Sequence, residues 1–412
     1  MSEKADSHSK HIVEVKGGSV VTPAGFSVSG IYSGVKRKRN DLGALYSEVP
    51  AQAAAVYTLN VVQAAPLKIT KEALADEAVL QAVIINSGNA NACTGEKGIA
   101  DAYEMQALIA EHFDIPKDYA AVASTGIIGL EMPMDKIKAH IPNLQVGKTP
   151  TDAANFGQSL LTTDTFNKYS CFQTEINGST VTMGGAAKGS GMIEPNMGTM
   201  LGFITTDANV HAEHLQALLK EITNKTFNCI TVAGDTSTND MVLVLANGKA
   251  DNDVLTPDHP DWIRFKQLLE LTCQELSKAI ARDGEGATKL IEVAVSGAVS
   301  NEDAKKVAKS IVGSSLVKTA AFGKDANWGR VIAAVGYSGA DVNPDTIDMA
   351  IGSIPLLKAS SPLAFSEEEA SAYLENDTIH IDVHLNKGEG HSKAWGCDLT
   401  YDYVRINASY RT

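Results

Sequence analysis

Apolar positions recur along the chain in two different periods. Residues 51–62 and 82–85 are short, nearly unbroken apolar runs, the pattern of buried strands. Residues 99–113 place their apolar side chains three and four apart and read as an amphipathic helix. The same spacing returns in residues 210–227, through Val210, Leu215, Leu218, Leu219 and Ile222, and again in residues 262–280. Both stretches predict surface helices packed on a sheet. Residues 289–295 read as a strand. Residues 378–385 alternate strictly, with Ile379, Ile381, Val383 and Leu385 on one side and His380, Asp382 and His384 on the other, which predicts a strand with one face toward water. Strand and helix patterns alternate from end to end without repeats, so a mixed α/β fold is expected. The one linker-like segment, residues 142–151, precedes a helical stretch that leads to a central glycine-rich region.

At 412 residues the chain has room for two or three structural units with a substantial interior. Its 34 glycines against 13 prolines point to many tight turns in an otherwise ordinary globular composition. No stretch reaches the roughly 18 apolar residues of a membrane span, and the polar first ten residues lack the apolar core of a signal peptide, so a cytoplasmic protein is expected. The formal charge of −14 argues against binding nucleic acid. Lys36-Arg37-Lys38-Arg39 is a local exception, read either as a solvated loop or as an attractor for an anionic substrate or cofactor. The five cysteines are odd in number and never spaced as C-x-x-C, which argues against a disulfide framework or zinc site. His380 and His384 have no second histidine pair to complete a metal site. Gly147-Lys148-Thr149 imitates the end of a phosphate loop, but Pro142 stands where that motif needs its first glycine.

The densest unusual segment is residues 184–206, G-G-A-A-K-G-S-G-M-I-E-P-N-M-G-T-M-L-G-F-I-T-T. Its small residues let the backbone approach itself or a ligand closely, and Pro195 restricts the chain just before the Gly198–Thr199 bond. A threonine hydroxyl is a weak nucleophile and needs a base matched to neutral pH. Cleavage before Thr199 would free an α-amino group, with a pKa of roughly 7.7–8.0, on that same residue. Gly198, lacking a side chain, leaves room for the hydroxyl to attack its carbonyl in an N-to-O acyl shift. The same residues also suit a glycine-rich turn entering a buried strand over 200–204.

K-G-S-G-M-I-E-P-N-M-G-T-M-L closely resembles the self-processing site of the ornithine acetyltransferase family. Further blocks resemble the same family: Asn86-Ser87-Gly88-Asn89-Ala90-Asn91-Ala92, Ser124-Thr125-Gly126-Ile127-Ile128-Gly129, Gly234-Asp235-Thr236-Ser237-Thr238-Asn239-Asp240, Arg282-Asp283-Gly284-Glu285-Gly286-Ala287-Thr288-Lys289, Asn327-Trp328-Gly329-Arg330, Ala394-Trp395-Gly396-Cys397-Asp398 and Ile406-Asn407-Ala408-Ser409-Tyr410-Arg411-Thr412. They run in order over most of the chain. The family more often has alanine before the threonine, where this chain has Gly198, and usually an acid where it has Ala233.

The resemblance implies an αββα-type sandwich akin to N-terminal-nucleophile and aminopeptidase-like folds. It implies self-cleavage into fragments 1–198 and 199–412, paired as an α2β2 assembly, so the cut is not a domain boundary. Thr199 would be nucleophile and acetyl carrier, with Thr125 and Gly126 forming the oxyanion hole. Thr162, Lys188, Thr199, Glu285, Asn407 and Thr412 would bind substrate, Lys188 meeting the α-carboxylate and Glu285 the ornithine ammonium. The last two of these residues would bring the C-terminus into the pocket. The implied activity moves acetyl from N-acetylornithine to glutamate, with no metal or cofactor, in arginine biosynthesis. Some family members also take acetyl from acetyl-coenzyme A, and the motifs suit either donor. Two rival functions fit the bare residues: an N-terminal-nucleophile amidase or aminopeptidase that passes the acyl group to water, and a binding protein in which Gly198–Thr199 stays intact.

Overall fold

The computed structural model describes residues 11–192 and 200–409, so Gly198, Thr199 and Thr412 lie outside the described residues. The chain forms two compact units interleaved in sequence. Met1–Gly189, Asn196–Thr223 and Thr236–Leu276 make the first, and Ser190–Pro195, Asn224–Asp235 and Ser277–Thr412 the second.

Among the described residues the first unit holds a nine-stranded sheet. Its order is Val13–Glu14, Lys168–Ile176, Ser179–Lys188, Leu201–Thr206, Met241–Ala246, Leu42–Tyr57, Val79–Asn89 and Ala120–Ile127, with Phe26–Ile31 paired to the front of Leu42–Tyr57. Val79–Asn89 and Ala120–Ile127 run parallel, as do Leu201–Thr206 and Met241–Ala246. Successive side chains on a strand face opposite ways. Val83, Ile85, Ala121 and Ala123 accordingly pack with Phe156 and Leu160 of helix Pro150–Leu160. Ala82, Ile84, Ala120 and Val122 pack instead with Met105 and Ile109 of helix Gly95–Phe113 and Ile137 of helix Met134–His140. Burial on both faces explains why these strands read as unbroken apolar runs.

The second unit holds a seven-stranded sheet among the described residues, ordered Ser361–Pro362, Ile354–Lys358, Asp348–Ile351, Thr378–His384, Leu290–Ala298, Gly390–Cys397 and Ile230–Thr231. Helix Asn301–Gly313 covers its centre through Ala304, Val307, Ala308, Ile311 and Val312. Its first turn is capped by Ser300, which accepts from the Asp303 N–H. The expected mixed α/β class is therefore what the chain has.

Thr378–His384 behaves as its alternation predicts, with Ile379, Ile381 and Val383 buried and His380, Asp382 and His384 exposed. The predicted helices are Gly95–Phe113, Ala212–Lys225 and Trp262–Arg282. Val210 is not part of the second; it is buried in a bridge to Leu255. Residues 51–62 are a larger correction. The strand begins at Leu42 and ends at Tyr57, and beyond it Leu59 and Val61 are exposed, Val61 almost fully at 97%. Pro50, with no N–H to give, coincides with a register shift between Tyr46 and Ala51 that hides the front half from a periodicity reading. Residues 142–151 are not a linker either. Gly147 pairs with Val28, and Thr149 caps helix Pro150–Leu160 by a reciprocal exchange with Asp152. The apparent phosphate-loop end is thus a helix start. No helix among the described residues is long and apolar enough to cross a membrane.

Candidate active site

The polar block around Asn86 spends its side chains on backbone. Asn86 donates to the Asn89 carbonyl at 2.9 Å, Asn89 to the Glu131 carbonyl at 2.9 Å, and Asn91 to the Gly98 carbonyl at 2.8 Å, all from side-chain amides. The Ser87 hydroxyl donates to the Ser159 carbonyl at 2.6 Å. From the strand Met241–Ala246 side of the sheet, the Asn239 amide donates to the carbonyls of Ala90 (2.6 Å) and Ser124 (2.9 Å). These bonds fix the end of the parallel pair Val79–Asn89 and Ala120–Ile127, where Asn89 faces both Thr125 and Ile127 in a bulge. Gly126 lies there with φ +136°, and a Cβ on it would fall 2.3 Å from the Gly88 carbonyl carbon. Only glycine fits such a turn. Thr125 beside it is buried.

Lys188 ends the strand Ser179–Lys188 and points its ammonium at the Thr125 hydroxyl from 3.5 Å, the outer limit of a hydrogen bond. It is 3% exposed. A charge this deep needs compensation. Asp164 provides part of it: its carboxylate accepts from the Lys168 ammonium at 2.7 Å, the Gly189 N–H at 2.7 Å and the Thr162 N–H at 3.0 Å. The Lys168–Asp164 pair is wholly buried. Burial alone would raise the Asp164 carboxyl, but the ammoniums of Lys188 and Lys168 and these hydrogen bonds hold it well below the usual carboxylate range.

Thr125, Gly126, Thr162 and Lys188 therefore gather at one end of the first unit. Asp164 and Lys168 join them, and the sequence reading missed both; an Asp and a Lys four residues apart resemble any surface pair. Also missed is Asp240, whose carboxylate accepts from the Met200 N–H at 2.6 Å, one residue beyond Thr199.

Glu285 and Asn407 meet in the second unit, where the Asn407 amide donates to a Glu285 carboxylate oxygen at 2.7 Å. The carboxylate lies against Gly191, where a Cβ would come within 2.3 Å of it, and the Glu285 N–H donates to the Ser190 carbonyl at 3.1 Å. Asp398 secures this loop by accepting the N–H groups of Thr288 (2.8 Å) and Lys289 (3.0 Å). Asn407 sits on the exposed helix Tyr401–Ala408, whose Thr400 hydroxyl donates to the Gly286 carbonyl at 2.7 Å. Beside Ala233, the buried Lys318 ammonium donates to the Val232 carbonyl, so this cation is hydrogen-bonded without an acid at position 233.

Fold and clusters define a class: a two-sheet α/β protein with a buried cation set beside a glycine turn, chemistry suited to a small anionic ligand. The model of the ArgJ family matches residues 27–412. The chain is 61% identical over 403 residues to the arginine biosynthesis bifunctional protein ArgJ of Halalkalibacterium halodurans, covering 98% of each chain. It is 59% identical over 408 residues to the protein of that name from Geobacillus kaustophilus, covering 99% of this chain and 100% of that one. A crystal structure of arginine biosynthesis bifunctional protein ArgJ from Bacillus halodurans is similar at 64% identity and a TM-score of 0.50, covering 50% of this chain and 98% of that chain. The chain belongs to the ArgJ family.

Proposed function

We propose that the protein is a glutamate N-acetyltransferase of arginine biosynthesis, carrying acetyl from N2-acetyl-L-ornithine to L-glutamate on Thr199. The observation that carries this is the meeting of Lys188 with Thr125, 63 residues earlier and next to the Gly126 turn, in a chain 61% identical to an arginine biosynthesis protein. In the first half-reaction the Thr199 hydroxyl attacks the acetyl carbonyl while its own α-amine takes the proton. The C–N bond to ornithine breaks, the proton passes to the leaving nitrogen, and an acetyl ester of Thr199 remains. In the second half the glutamate amine attacks that ester, the C–O bond breaks, and the proton returns to the threonine oxygen. Each tetrahedral step puts negative charge on the carbonyl oxygen, and donors at Thr125 and Gly126 lower the barrier, commonly by several kcal/mol. Lys188 takes the α-carboxylate and Glu285 the ornithine ammonium, with Thr162, Asn407 and Thr412 completing the binding positions. The balanced cycle uses no metal or cofactor.

The nucleophile is freed by cleavage after Gly198, giving fragments 1–198 and 199–412 that stay together as an α2β2 assembly in the cytoplasm. Two observations support the cut. The Bacillus halodurans chain is matched over nearly all of its own length yet spans half of this one, as a processed fragment would. The strands Ser179–Lys188 and Leu201–Thr206, one in each fragment, pair with each other, so the two fragments would stay joined through one sheet. The relatives are named bifunctional, and the second function proposed for this chain is acetylation by acetyl-coenzyme A.

The test is intact mass after brief exposure to N-acetylornithine without glutamate. An acetyl adduct on a fragment starting at Thr199 is expected, and Thr199→Ala should abolish both cleavage and transfer. Acetate released irrespective of glutamate would make the protein an amidase. An unbroken, inactive chain that binds ligand would make it a binding protein.

A further inference from the structure

The basic run Lys36-Arg37-Lys38-Arg39 divides in the structure. Residues 37–39 are exposed, as a solvated loop would be, but Lys36 is half-buried and turned inward. Asp41 folds the loop around itself: its buried carboxylate accepts from the Ser33 N–H (2.6 Å), the Ser33 hydroxyl (2.7 Å) and the Lys36 N–H (2.8 Å). Those bonds throw the Lys36 side chain back over Gly88, where a Cβ would lie 2.7 Å from its Cγ. Gly88 is the residue against which Gly126 packs. At its far end the Lys36 ammonium donates to the Leu161 carbonyl at 2.8 Å, one residue from Thr162. Its stem therefore lies against the glycine turn, its head beside Thr162, and its charge within the field of Lys188.

Among the described residues, that ammonium's hydrogen bond goes to a neutral carbonyl, although it has three protons to donate. Lys168 is paired with Asp164, and the Asp41 carboxylate is taken up by Ser33 and the Lys36 N–H. Among the described residues, the ammoniums of Lys36 and Lys188 have only a carbonyl and a hydroxyl as acceptors, with no carboxylate in contact. Ornithine offers one carboxylate to such a site; glutamate offers two. We propose, resting on the acetyl transfer above, that Lys36 binds the side-chain carboxylate of the acceptor and makes the site prefer an acidic amino acid to its amide. Burial, opposed by Asp41 and Asp164 and reinforced by Arg39 and Lys188, lowers the Lys36 pKa to about 8, so it remains charged at neutral pH.

The experiment compares glutamate with glutamine as acceptors from the acetylated enzyme. Lys36→Met keeps an unbranched stem over Gly88 and removes the charge. Its glutamate-to-glutamine ratio of kcat/KM should fall at least about tenfold, with the loss in the glutamate KM, while Lys36→Arg should keep most of the preference. A preference unchanged in Lys36→Met overturns the proposal. So does an equal loss with both acceptors, or a loss confined to acetylation by acetyl-coenzyme A, which would assign the cation to a phosphate. Should Lys36→Met not fold, wild-type protein carries the test: the same ratio should decline as pH rises through about 8, and a flat profile overturns the proposal. Calorimetric binding of glutamate and glutamine to the wild type and to Lys36→Met, with no acetyl donor present, reads the preference without acetyl transfer. A protein that never forms an acetyl adduct thus defeats the enzyme reading while leaving the carboxylate preference separately decided.

Discussion

The carboxylate of Asp240 accepts a 2.6 Å hydrogen bond from the backbone N–H of Met200. The Met200 carbonyl in turn accepts from the Met241 N–H at 3.2 Å, so the residue after Thr199 is held on both sides by one stretch of chain. Asp240 is itself wholly buried and anchored through its carbonyl, which accepts from the Thr58 N–H at 3.0 Å. Leaving a buried N–H without its acceptor costs about 1–3 kcal/mol. Asp240→Ala should therefore slow both self-cleavage and turnover by roughly 10- to 100-fold. Asp240→Asn, which keeps an acceptor oxygen, should recover most of the rate. A time course of intact mass beside steady-state turnover checks both, and undiminished processing in Asp240→Ala would remove Asp240 from any role in placing Thr199.

Gly126 and Thr125 are adjacent but should fail differently. A Cβ at Gly126 meets backbone, 2.3 Å from the Gly88 carbonyl carbon and 2.5 Å from the Asn89 nitrogen, and backbone cannot swing aside as a side chain can. Gly126→Ala should lower both Tm and turnover, the latter by at least about 100-fold. Thr125→Ala removes only a hydroxyl, so turnover should fall by a similar factor with a smaller loss of Tm, limited to the long 3.5 Å contact that the buried Lys188 ammonium gives up. Thermal melts paired with turnover on the two variants separate the cases, and a Gly126→Ala protein with wild-type Tm would show that the bulge accommodates a side chain.

Much of the fold was legible because burial imposes a period. Thr378–His384 alternates in exposure as it alternates in polarity, and Leu215, Leu218, Leu219 and Ile222 share a buried face as their spacing requires. The front of Leu42–Tyr57 was not legible because Pro50 and a register shift interrupt the pattern where the strand continues. The site divided along similar lines. Thr125, Gly126 and Lys188 stood out through glycine-rich motifs, since close backbone approach demands small residues. Lys36 was visible only as part of a basic run with two readings and Asp240 only as the end of a matching block, because their contacts lie 125 residues away at Leu161 and 40 residues away at Met200. Asp164 and Lys168 are close in sequence, but spacing alone does not tell a fully buried pair from a solvated one.

Lys36 also ties function to stability. Its pKa is about 8 in the folded protein against an ordinary 10.5, which we take for the unfolded chain, because burial penalises the ammonium. Below pH 8 both states hold the proton and the folded protein bears the full cost of a poorly solvated charge. Between 8 and 10.5 the unfolded chain still binds the proton that the folded protein has released, so stability rises with pH from this group. Above 10.5 the cost is gone. Lys36→Met has no such group, so the stability difference should move in favour of wild type as pH rises through that window. The full shift would correspond to about 3 kcal/mol, and solvent screening of the partly exposed side chain reduces the expectation to about 1 kcal/mol. Urea unfolding midpoints of the two proteins between pH 7 and 10 measure it. A gap that stays constant would mean that Lys36 keeps its proton throughout, as it would if the ammonium were well hydrated and not turned in over Gly88.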